Sequence, residues 1–162
     1  MLILIILAYA YNSLTENKKF TDGVISFDYP CFYIPQHGES SGSTMQKVAY
    51  FTSGDPFNSQ NILVTKNKTT ISASKLRDDA VLTSQNRSDC KILSKSTVTN
   101  PNGIILETIV ITVVVKGKPS INYLMSFKIN DTVYAIGVYG PESNGKRISN
   151  TANSISKSLN IT

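Results

Sequence analysis

Residues 24–29 alternate: Ile25, Phe27 and Tyr29 point to one face of a strand, and Val24, Ser26 and Asp28 to the other. Asp22-Gly23, just ahead, is a favoured two-residue hairpin turn, which makes Phe20-Thr21 part of the partner strand. Pro30 and Pro35 bracket a short apolar segment, Phe32-Tyr33-Ile34, and residues 36–44 (QHGESSGST) have the composition of an exposed loop. Residues 47–52 and 61–66 predict two further strands, separated by the turn cluster Ser53-Gly54-Asp55-Pro56.

The second half is more regular. Residues 91–99 predict a strand and 100–103 (NPNG) a turn. Residues 104–115 form a β-branched run that is apolar on both faces, the pattern of a central strand covered on both sides. After a turn at 116–119, Ile121, Tyr123, Met125, Phe127 and Ile129 share one strand face. Asn130-Asp131 then makes a tight hairpin into 132–139, and Gly140-Pro141 ends it. Two segments change to helical spacing. Within 72–84, Ala73, Leu76, Ala80 and Thr83 form a stripe, with Ser72 or Ser74 as the N-cap. At the C-terminal end, Ile148, Ala152, Ile155 and Leu159 give an amphipathic helix.

Strands joined by tight turns imply antiparallel pairing, and an amphipathic helix must bury its stripe on the sheet. The expected fold is an α+β single-domain sandwich. Its central sheet is mostly antiparallel, with about six or seven strands, and is flanked by helices that include the C-terminal one.

Length and composition fit this reading. A chain of 162 residues that is 41% hydrophobic and 17% charged is globular and supports one core. The net charge is +5, but the 16 Lys and Arg are scattered, in pairs such as Lys18-Lys19 and Lys146-Arg147. Nucleic-acid binders gather their cations on one face, so nucleic acid is not an expected partner.

Residues 1–10 (MLILIILAYA) are apolar and close on Ala8-Tyr9-Ala10, the small-residue spacing that signal peptidase accepts, so cleavage before Tyr11 is expected. The run is shorter than the ~20 residues that span a bilayer. It also lacks a positive flank, so it reads as a truncated signal or anchor segment whose start lies upstream of Met1. A buried N-terminal strand or helix is the alternative. Residues 11–18 then form a lead-in linker and 19–162 the folded domain.

In an exported protein Cys31 and Cys90 are a candidate disulfide, worth about 4 kcal/mol for a loop of this length. Two buried thiols are the alternative. Asn67, Asn86, Asn130 and Asn160 stand in Asn-x-Ser/Thr sites and are candidate glycan acceptors under the same condition.

Catalytic chemistry is hard to assemble. The one histidine, His37, sits in the Gly/Ser-rich loop, with no Gly-x-Ser-x-Gly elbow elsewhere. Cys31, His37 and Cys90 with Glu39 or Asp55 lack the close Cys pairs of structural zinc sites. Gly145-Lys146 lacks the glycine-rich approach of a phosphate loop. Asp78 and Asp79 are adjacent on a helix, where neighbours diverge around the axis. No cofactor, metal or catalytic residue is expected. Tyr50, Phe51 and Phe57 flank the 53–56 loop, and exposed loop aromatics favour recognition, so His37 and Phe57 are the candidate recognition residues.

The strand VISFDYP with its aromatic follow-on, the helix after Asn61-Ile62-Leu63-Val64-Thr65, and the meander into a C-terminal helix resemble the PsbP family, within the wider PsbP/Mog-like fold. The resemblance covers residues 19–159. Family members commonly carry a Trp shortly after the Tyr-Pro pair, where this chain has Cys31-Phe32-Tyr33. It implies a sheet flanked by helices and a non-enzymatic role. Plant and cyanobacterial relatives are lumenal auxiliary proteins of photosystem II, and other microbial members are exported or surface proteins.

The expectation for function is therefore a non-catalytic, exported or membrane-anchored accessory domain. It would be a monomer binding an unknown protein or cell-surface component, with residues 1–10 as a tether. Two alternatives stand beside it. One is a cytosolic protein-binding adaptor, as the eukaryotic branch of the fold binds a small GTPase. The other is a small ligand carrier or enzyme using His37, Glu39 and Cys31.

Overall fold

The computed structural model describes residues 16–36, 45–54 and 59–162. The apolar run 1–10, the linker to residue 15, His37, Glu39, Asp55 and Phe57 lie outside the described residues.

Among the described residues, ten strands form two antiparallel sheets. The smaller has the order β1-β2-β10, with β1 Asn17–Thr21, β2 Ile25–Pro30 and β10 Asn160–Ile161. The larger has the order β3-β4-β5-β9-β8-β7-β6. Its strands are β3 Tyr33–Pro35, β4 Gln46–Ser53, β5 Asn61–Lys68 and β6 Cys90–Thr99. β7 Ile105–Val115, β8 Lys118–Ile129 and β9 Thr132–Pro141 complete it as a meander. Helix α1 spans Ala73–Gln85, and α2 spans Gly145–Ser158 after a 3-10 turn at Glu142–Asn144. The α+β sandwich and its antiparallel pairing agree with the sequence pattern.

Because side chains alternate along a strand, register defines two faces. On the inner face, Phe51, Ile62, Val138 and Tyr123 form one row across β4, β5, β9 and β8. β2 and α2 close over it. Ile25, Ile62, Ile136, Ile148, Ile155 and Leu159 are all fully buried in the one core. Phe20, Phe27, Tyr29 and Phe51 pack as an aromatic cluster between the sheets, with Tyr29 and Phe51 centroids 4.6 Å apart. The end of α2 is satisfied from outside the helix. Asn100 Nδ2 donates to the Ser156 and Leu159 carbonyls, and Asn102 Nδ2 also donates to Leu159 O. These are the carbonyls a helix leaves orphaned at its C-terminus.

On the outer face α1 packs against β6, β7 and β8. Its N-cap is Ser72, whose hydroxyl accepts from Lys75 N at 3.1 Å. Ala73 and Ser84 are its buried residues. Thr83, expected on the packed stripe, is exposed and donates to Asp79 O. A cluster of charges fixes the helix. Arg77 donates to Glu107 on β7 and to Asp78, Thr97 donates to Glu107, and Lys95 on β6 donates to Asp78 at 3.2 Å. Asp79 pairs instead with Lys75.

Several expectations change. The 104–115 run is not a central strand covered on both sides. β7 is next to the edge, and Ile105 at one end of it and Val114 and Val115 at the other are 59%, 48% and 50% exposed. Its turn is only Lys116-Gly117, both at positive φ, with Pro119 already in β8. Val24 belongs to the first hairpin's turn: Asp22 Oδ1 accepts from Val24 N and Ile25 N, and Gly23 takes φ +86°.

The two edges of the larger sheet differ. β3 has three residues, whereas β6 has ten, nearly all exposed, with a bulge between Ile92 and Ser94. Cys31 precedes β3 and Cys90 opens β6, so the two cysteines lie at opposite edges and do not bond to each other. Six strand intervals separate those edges by on the order of 25 Å, whereas a disulfide needs Cα atoms within about 7 Å.

Candidate functional site

The outer face beyond α1 carries an unusual row. Thr52, Asn61, Tyr139, Asn122 and Ile111 are register partners across β4, β5, β9, β8 and β7. Asparagine is depleted in strands, where a polar amide gains little from half-burial. Here two asparagines flank one tyrosine, and all three share a face.

The row is hydrogen-bonded on one side. Tyr50 OH donates to Asn61 Oδ1 at 2.6 Å. The Tyr139 hydroxyl bonds Tyr50, and its pKa is pushed well above the usual phenol range, first by burial and then by Tyr50. The Tyr50–Asn61 bond holds the Asn61 oxygen toward Tyr50 on β4. Asn122 is different. Its Oδ1 is shielded from solvent and has no donor. Such a group costs about 1–3 kcal/mol relative to a paired one. It sits where the next residue of β9 on this face, Gly137, has no side chain: a Cβ there would lie 3.7 Å from Asn122 Oδ1. A cavity of about 310 Å³ opens against this row, lined by Asn61, Asn122 and Tyr139 with Val113, Lys118 and Pro119.

A second cavity, about 440 Å³, lies at the other end of the sandwich, lined by Val24, Lys66, Asp131 and Tyr134. One of its charges, Lys66, is already engaged. Lys66 Nζ is 3.8 Å from Asp22 Oδ2, which accepts from Tyr134 OH at 3.3 Å. Burial, and then Asp22, raise the Tyr134 phenol pKa. Asn67 and Asn130 both line this cavity.

The glycan candidates are spread over the surface. Asn86 is exposed at the C-cap of α1, and Asn130 is exposed at φ +52° in the β8–β9 turn. Asn160 is exposed in β10, and Asn67 is half-buried in β5. The structure brings Asn67 and Asn130 together and leaves the other two apart. Among the described residues no three His, Cys, Asp or Glu side chains gather as a metal-binding group, and no helix is long and apolar enough to cross a membrane.

Sequence reasoning missed the Asn61–Tyr139–Asn122 row. Its signal was two amides inside otherwise apolar strands, which reads as noise until register places them side by side.

The fold is a PsbP-like α+β sandwich. No protein-family model and no curated protein matches its sequence. Solved structures do match. LpqN of Mycobacterium tuberculosis, described as involved in cell envelope biogenesis, aligns at TM-score 0.62 and 14% identity over 97% of this chain and 96% of that one. Cyanobacterial PsbP (CyanoP) of Synechocystis sp. PCC 6803 aligns at TM-score 0.62 and 9% identity over 93% and 94%. A Bacteroides thetaiotaomicron protein aligns at TM-score 0.57 and 12% identity, over 91% of this chain and 49% of the other.

Proposed function

We propose that this protein is a non-catalytic, exported or surface-associated accessory domain. It acts as a monomer that binds a protein or cell-surface component, with residues 1–10 directing it to the membrane. The observation that carries this reading is likeness over nearly the whole length of both chains to LpqN, a protein described as involved in cell envelope biogenesis. The signal-like apolar start supports it from the sequence side.

The test is intact mass of the native protein from separated membrane, cytosolic and extracellular fractions. A chain beginning at Tyr11, or a heavier tethered form, is expected outside the cytosol. An unmodified chain from Met1 in the cytosol overturns the proposal.

A further inference from the structure

We propose that the cavity on the outer face is a binding site for a small organic anion: a carboxylate with a short apolar tail, held by Asn61, Asn122 and Lys118. This goes beyond the accessory role and does not depend on where the protein resides.

The groups left unspent in the row define what the cavity can hold. The Asn61 oxygen is taken by Tyr50, so this amide offers the cavity its N–H donors. The Asn122 oxygen is shielded beside Gly137, where a Cβ would lie 3.7 Å from it, and Asn122 lines the cavity, so its N–H donors are what this amide can offer there. The Tyr139 hydroxyl is committed to Tyr50. Lys118, at the β7–β8 hairpin, is exposed and supplies a cation at the rim. Among the described residues no acidic side chain lines the cavity. Two amide donors and an ammonium call for an acceptor-rich, negatively charged group. Charge-assisted hydrogen bonds to a carboxylate are stronger than neutral ones.

Apart from Ser59 and Ser120 the rest of the wall is apolar, chiefly Val113, Pro119 and Ile121. It suits a hydrocarbon tail. The volume, about 310 Å³, lies at the small end of ligand pockets, which are mostly apolar with a few convergent polar groups. The unpaired Asn122 oxygen supports the same reading. An apolar residue would avoid its desolvation cost, so the amide's presence is explained by what its nitrogen does.

The experiment is an amide NMR titration of the full chain with sodium hexanoate, and separately with hexanol. Saturable shifts are expected at the Asn61 and Asn122 side-chain amides and along the β7–β8 hairpin, with hexanol at least about tenfold weaker. Asn122→Leu and Lys118→Gln should each weaken hexanoate by about tenfold or more while leaving the spectrum well dispersed. Lys118 is exposed, so its replacement tests the site even if Asn122→Leu perturbs packing. Three results would overturn the proposal: no saturable shift with hexanoate, equal affinity for hexanol, or hexanoate binding unchanged in Lys118→Gln.

Discussion

The two faces of the seven-stranded sheet are built on different physics. The inner face is closed by α2 and the small sheet, and its contacts are apolar, with Ile148, Ile155 and Leu159 fully buried. The outer face is closed only in part, and what fixes α1 there is a cluster of charges centred on Arg77 and Glu107. Burial of apolar area supplies most of a small domain's stability; on the outer face only the Arg77–Glu107 pair is largely buried, and the more exposed Lys95–Asp78 pair contributes little. The inner face therefore holds the molecule together, and the outer face is free to carry polar groups that serve another purpose.

Breaking the inner face should cost most. Ile155→Ala removes a fully buried side chain from α2 and should lower stability by about 2–5 kcal/mol, read as the shift in urea midpoint at constant slope. On the outer face, Glu107→Ala leaves Arg77, whose side chain is 12% exposed, without its main partner on the sheet. A loss of about 2 kcal/mol is expected, less than when a buried charge is left with no partner, because Arg77 keeps Asp78 and Thr97. A loss equal to that of Ile155→Ala would remove the contrast between the faces.

Asn122→Leu sharpens the comparison by changing sign. It removes a buried acceptor that has no donor and should raise stability by about 1 kcal/mol, measured as a higher melting temperature. A fall would mean the amide is structural. The smallest effect is on pH. Asp78 is held below the usual carboxylate range by Lys95 and then by Arg77, and Asp89 by Arg87. A depressed folded pKa stabilises above the unfolded value, 3.8, and that contribution is lost as pH falls through the folded value. Both carboxylates are well exposed, at 44% and 40%, so a shallow loss of melting temperature below about pH 4 is expected, flattened further by 1 M salt.

The inner face was legible in the sequence because its signals are local. Alternation at Ile25, Phe27 and Tyr29 and the four-residue beat of Ile148, Ala152, Ile155 and Leu159 name the residues that meet in the core. The outer face was not. Apolarity on both sides of residues 104–115 reads as double burial, but whether an element covers a strand depends on where α1 ends, and that is not local. β10 is two residues long and pairs only because α2 delivers it beside β2. The Asn61–Tyr139–Asn122 row joins three strands whose register is set by turns far from the row. The separation of Cys31 from Cys90 likewise follows from strand order rather than spacing.

Strand β6 has a consequence for how the protein behaves in concentrated solution. A ten-residue edge with unpaired amides is a template on which a second chain can polymerise, and β3, at three residues with a proline, offers no such template. The bulge between Ile92 and Ser94 interrupts the ladder near its start, and Lys91 and Lys95 set like charges on either side of it. Two copies meeting edge to edge would face mismatched spacing and mutual repulsion. That short irregularity, rather than anything in the core, is the feature that works against open-ended growth of the sheet.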